Sequence, residues 1–174
     1  MAFAFTVEDG TGVAGANSYV DVAYADDYHS GRGNGGWGGT DAQKQAALVK
    51  ATDHVERVYG PRFIGERGSA AQGLHWPALS AFEWPTGRPF PNTVATSDEV
   101  PDSLKRAVCE FALRALTVEL TPDSPAGGTV VEENQRSGMV ERELKYANPG
   151  GLPDFPSAEL WMRSLLLWRR TERA

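Results

Sequence analysis

The sequence predicts a mainly α fold, a small helical bundle that carries a β-hairpin and long irregular arms. Three observations lead there. Residues 100–120 place Leu104, Val108, Phe111, Ala115 and Val118 at spacings of three and four, which is one apolar stripe along a helix of about five turns. Residues 40–59 open with the capping box Thr40-Asp41-Ala42-Gln43 and continue with Ala47, Leu48, Ala51, Val55 and Val58 at helical spacing. The 19 glycines and 11 prolines gather in a few segments between such runs, so compact helices must be joined by long connections. A chain of 174 residues that is 41% hydrophobic and 23% charged suits one globular domain with enough length for a core.

Taken in order, Phe3, Phe5 and Val7 alternate with smaller or polar neighbours before the glycine-bearing turn at 8–12, which reads as a short strand and turn. Asp21 is a good N-cap for a helix at about 21–31, which Gly31 or Gly33 would stop. Tyr24 and Tyr28 share one face of it. Residues 31–39, GRGNGGWGG, lack the Gly-Lys-Ser/Thr element after a buried strand that a phosphate-binding loop needs. They read as a flexible connector in which Trp37 is an anchor. The helix at 40–59 stops at Gly60-Pro61, and Ala46, Ala47 and Ala51 let it approach the helix at about 101–121 to roughly 8–10 Å.

That second helix is the core helix. Pro101 suits its first position and Pro122 cannot continue it; Ala107, Ala112 and Leu116 widen its stripe, while Lys105, Arg106, Glu110, Arg114 and Glu119 fall to the other side. Residues 62–99 show little helical period yet hold Trp76, Phe82, Trp84 and Phe90. They are too aromatic for a solvated linker, so they lie across their own helices or on a neighbouring subunit. Val130–Gln135 and Val140–Tyr146 flank Ser137-Gly138 and read as a hairpin over about 130–146. A last helix at about 157–170 puts Leu160, Trp161, Leu165 and Trp168 on one face, with Met162, Leu166 and Leu167 spreading the apolar surface. That is more than a solvated tail carries. Residues 1–156 therefore read as the main domain and 157–174 as a docking helix, with partner contacts expected at Trp161, Leu165, Trp168, Arg169 and Arg170.

Chemistry is sparse. A net charge of −6 disfavours general affinity for a nucleic acid backbone, although it leaves room for a local basic patch. Cys109 is the only cysteine, which excludes an intrachain disulfide and a cysteine-rich zinc site and suits a reducing compartment. No run approaches the ~20 apolar residues of a membrane helix, and the N-terminus lacks a signal-peptide pattern; a soluble, cytoplasmic chain is expected. His29, His54 and His75 are scattered without metal-ligand spacing, and Cys109 lies beside the apolar stripe as a buried thiol would. The adjacent carboxylates Asp26-Asp27 and Glu132-Glu133 would point in different directions. No catalytic, cofactor-binding or metal-binding residue is assigned, and the expectation is a protein that is not an enzyme.

Four stretches taken together resemble a known family. They are VEDGTGVAGANSYVDVAYADDYH at 7–29, WGGTDAQKQAALVKATDHVE at 37–56, QGLHWP at 72–77 and EVPDSLKRAVCEFALRAL at 99–116. Their order is similar to that of the head-to-tail adaptor, or head-completion, proteins of long-tailed phages, some of which carry a DnaT-like single-stranded-DNA-binding label. The resemblance covers residues 7 to about 146. It implies a ring-forming subunit, commonly in twelve copies, that sits under the portal protein and joins it to a stopper or tail-terminator protein in the virion. It carries over no catalytic residue, cofactor or membrane contact. Genome DNA would pass through the lumen without specific binding, which an acidic balance favours. The competing reading is a single-stranded-DNA binder that stacks bases on Trp76, Trp84 or Phe90, though without a basic groove.

Overall fold

A computed structural model describes residues 4–79, 82–83, 93–94, 98–122, 130–136, 141–146 and 153–166. The chain divides into two compact units, Met1–Val118 with Phe155–Ala174, and Glu119–Asp154. The fold is mainly helical with short antiparallel strand pairs, as the sequence predicts.

Helix α1 spans Val22–Ser30, and the Asp21 side chain accepts the Tyr24 N–H at 2.7 Å to cap it. Helix α2 spans Asp41–Val58 and begins on the expected capping box: Thr40 Oγ1 accepts from Gln43 N at 3.3 Å, and Gln43 Oε1 accepts from Thr40 N at 2.9 Å. Thr40→Ala should therefore cost about 1 kcal/mol, a fall in Tm of about 2–4 °C for a chain of this size. Thr40→Ser should keep most of it in the same thermal melt.

Helix α3 spans Asp102–Ala115 and carries the core. Its Leu104, Ala107, Val108, Phe111 and Ala112 are all fully buried. On it pack α2, through Leu48, Ala51 and Val55, and helix α4 at Pro156–Met162, through Ala158 and Met162. The expected stripe holds as far as Phe111 and then ends early. Ala115 is half-buried and Val118 is 52% exposed, because the helix closes where the N–H groups of Thr117 and Val118 both turn to the Arg114 carbonyl at 3.0 and 2.9 Å. Two consecutive β-branched residues favour that stop over a further turn.

Residues 62–79 form a strap tied to α2, where the His75 N–H donates to the Glu56 carboxylate at 3.2 Å. A short turn at Gly60–Arg62 leads to β1 (Glu66–Arg67), which pairs antiparallel with β2 (Ala78–Leu79) in the register Glu66↔Leu79 and Arg67↔Ala78. Between them Gln72 ties the loop from inside. Its amide nitrogen donates to the carbonyls of Leu74, His75 and Pro77 at 2.8, 2.9 and 3.1 Å, and its oxygen accepts from Ser69 N at 3.0 Å. Trp76 follows and is completely buried. Strands β3 (Phe82–Glu83) and β4 (Thr93–Val94) pair antiparallel as well.

Among the described residues the expected N-terminal strand has one parallel bridge, between Val7 and Ser18, and Phe3 lies outside them. What organises the turn after it is Glu8, only 3% exposed. Its carboxylate accepts the N–H groups of Gly10 and Gly12 at 2.9 Å each and of Val13 at 2.8 Å. Gly10 is required there: its φ is +105°, and an added Cβ would lie 2.1 Å from the Asp98 carbonyl oxygen.

In the second unit, β5 (Val130–Arg136) and β6 (Glu141–Tyr146) form the expected hairpin, from Val130↔Tyr146 to Arg136↔Glu141 with one irregularity between Val130 and Glu132. The proposed Ser137-Gly138 turn lies outside the described residues.

The last helix departs from expectation. After Met162 the chain tightens into a 3₁₀ turn at Arg163–Leu165, so the 3.6-residue period used to assign its faces does not persist. Ala158, Met162 and Leu165 point into the core while Leu160 is 51% exposed. Along those three residues the segment read as a docking helix is part of the subunit core.

Candidate functional site

The titratable groups that sequence reasoning weighed as chemical candidates are placed as packing groups. Cys109 is fully buried, and burial, followed by the nearby Glu110, pushes its thiol up to about 12, the opposite of what a nucleophilic thiolate needs. Burial also lowers the basicity of His29, His54 and His75. Among the described residues no three His, Cys, Asp or Glu side chains gather as metal ligands, and no helix is long and apolar enough to cross a membrane.

The glycine-rich loop after α1 has more architecture than a connector. Asp26 on α1 accepts both the Trp37 indole N–H at 2.6 Å and the Lys44 ammonium of α2 at 2.8 Å. The Lys44 hydrogen bond, opposed by some burial, holds the Asp26 carboxyl below its ordinary value. The Asn34 amide nitrogen donates to His29 Nδ1 at 3.0 Å, and the His29 ring lies 4.7 Å from that of Trp37. Arg32 stacks over Tyr28 with its guanidinium carbon 3.6 Å from the ring centroid. Trp37 is the anchor the sequence suggested, and Asp26 and Lys44 are the partners it did not reveal.

Two open clefts flank this loop. One of about 370 Å³ has Asp26, His29, Asn34, Trp37 and Lys44 in its walls. The other, of about 390 Å³, lies against Gly36, Gly38, Ala46, Ala47 and Leu116. The polar groups of the first that could hold a ligand largely hold one another, so its clearest task is to pin the loop between α1 and α2.

The proposed base-stacking platforms fare differently. Trp76 is 0% exposed, packed near Phe63 and His75 with ring centroids at 6.3 and 6.0 Å. Its backbone N–H donates to the buried Tyr19 hydroxyl at 3.2 Å, and that hydroxyl donates to Glu56. A base cannot reach such a ring, and Trp76 is a core residue. Trp84 and Phe90 lie outside the described residues.

Of the expected partner-binding set, Leu165 is fully buried within the subunit. Trp161 is half-buried, with the Arg106 guanidinium 5.0 Å from its ring centroid. Trp168, Arg169 and Arg170 lie outside the described residues. The outward group on this side is thus Leu160 and Trp161 with Arg106.

Residues 3–173 match the profile of a family described as "Putative DnaT-like ssDNA binding protein". The chain belongs to that family. The match takes in α1 to α4, the buried Trp76 segment and the hairpin, so membership is a property of the whole architecture rather than of one motif. No curated protein and no solved structure matches the chain.

Proposed function

We propose that this member of the DnaT-like family is a structural subunit of a phage head-to-tail connector. It would be a non-catalytic, cofactor-free protein that forms a ring beneath the portal, meets a stopper or tail-terminator protein, and surrounds the path of the genome. One observation carries the reading: Trp76, in one of the stretches that resemble the adaptors, is committed to the core rather than offered to a ligand. Glu8 and Gln72, in two of those stretches, likewise tie backbone inside the subunit. They are residues a scaffold needs. A net charge of −6 also suits a conduit that must not grip DNA.

The second reading, a single-stranded-DNA binder, is supported by the family's description more directly than the adaptor reading is. It would rest on Trp84 and Phe90 as stacking groups. Two measurements separate the readings. A portal assembly saturated with this protein should carry a copy number close to the portal's own symmetry; one or two copies would end the ring proposal. Anisotropy with a labelled single-stranded oligonucleotide at moderate salt should show weak binding that Trp84→Ala barely changes. A submicromolar, steeply salt-dependent complex that loses about 1–3 kcal/mol in that variant would establish the second reading instead.

A further inference from the structure

The segment at residues 155–166 is seated on a buried histidine. At its start, the His54 ring of α2 is 3% exposed and lies against Phe111 at 4.9 Å, Phe155 at 5.8 Å and Tyr59 at 6.0 Å between ring centroids. Neither of its ring nitrogens has a hydrogen-bond partner. The Tyr59 hydroxyl donates to Glu159 at 2.8 Å and fastens α4 to the end of α2 beside it. At the other end, Ile64 N–H donates to the Leu165 carbonyl at 2.9 Å and Phe63 bridges Leu166. The Phe63 ring rests in turn on His75 at 5.1 Å, a half-buried residue whose own ring is held by the Ile64 backbone with Glu56 nearby.

An imidazole buried among aromatic rings without an acceptor is held as the neutral base, because the cation has neither water nor a counter-charge there. We infer that residues 155–166 are an acid-released clasp: neutral His54 seats its start, and protonation of that ring lets the clasp lift from α2 and α3. The groups around the ring do not remove the cost. Burial alone lowers the basicity of His54, and on the facing elements Tyr59 lies against the ring while Glu159 is bonded to Tyr59.

The sign follows from linkage. With the clasp shut the His54 ring is held neutral; once it opens the ring is hydrated and returns to an ordinary value of about 6.5. Opening then takes up a proton. The clasp holds fully above that value and weakens as pH falls through and below it, by at most about tenfold per pH unit. Between pH 7.5 and 5.5 its protection should drop by up to about tenfold.

Hydrogen exchange on the full chain, corrected for intrinsic rates, reads this directly. Peptides over 156–165 should be less protected than the interiors of α2 and α3 at both pH values and should lose up to about tenfold in protection on acidification. His54→Leu, close in volume and uncharged, should abolish that loss. A substitution of His29, which packs against Trp37 rather than the clasp, should leave it unchanged. Exchange of the clasp and the two helices at one common rate, or an undiminished loss in His54→Leu, would overturn the inference. If that variant does not fold, the wild-type profile decides. The logarithm of clasp protection should be flat above pH 7 and fall below it with a slope of at most about one per pH unit, and a flat profile throughout would refute the clasp.

Discussion

Trp76→Ala is expected to lower the stability of the subunit by about 3–5 kcal/mol, the usual cost of removing a fully buried aromatic side chain. Trp76 heads the fully buried side chains by volume, and Tyr19, Phe63, Leu74 and Ala78 around it are buried too. The strap cannot collapse onto the space left behind, because Gln72 fixes three of its carbonyls and β1–β2 pairing fixes its far end. Urea denaturation at neutral pH measures the loss, and a change below about 1 kcal/mol would show that the ring is not in the core. One consequence reaches the DNA question. A subunit with 5–15 kcal/mol of total stability, the ordinary range, is close to unfolding after such a loss. Weaker DNA binding by this variant would therefore report lost structure rather than a lost stacking platform, and Trp84→Ala is the cleaner probe.

What the sequence made legible was local. The Asp21 cap, the Thr40–Gln43 box and the apolar stripe from Leu104 to Phe111 are short-range patterns with direct physical meaning, and each is found where it was expected. Periodicity alone extends the stripe too far, to Val118, because it does not register that Thr117 and Val118 end a helix readily. The groups that lock the loops were not legible. Glu8 gathers three amide donors of a turn, Gln72 gathers three carbonyls, and Tyr19 reaches Glu56 and Trp76 across 37 and 57 residues. No spacing rule announces a polar side chain turned inward to satisfy backbone groups, although buried backbone must find partners somewhere. The same limit hid Asp26 as the partner of Trp37. The indole N–H of a tryptophan anchored in a glycine-rich loop was the available hint, since a buried tryptophan usually donates it.

The C-terminal segment shows how a correct composition can mislead about direction. Among the described residues Ala158, Met162 and Leu165 are buried while Leu160 is exposed, a division that differs from the helical wheel. Leu165→Ala should cost about 2–5 kcal/mol of subunit stability, since that side chain is wholly enclosed in the core. Leu160→Ala, on a residue 51% exposed, should stay within about 0.5 kcal/mol of the parent. Chemical denaturation of the two variants side by side tests the assignment, and equal losses would show that the turn after Met162 does not redirect the chain as described. If the outward side of this segment meets a partner, Leu160→Ala and Trp161→Ala are the substitutions that should weaken the complex. Leu165→Ala should act on it only through folding, so its effect on binding should vanish at a temperature and pH where the variant is fully native.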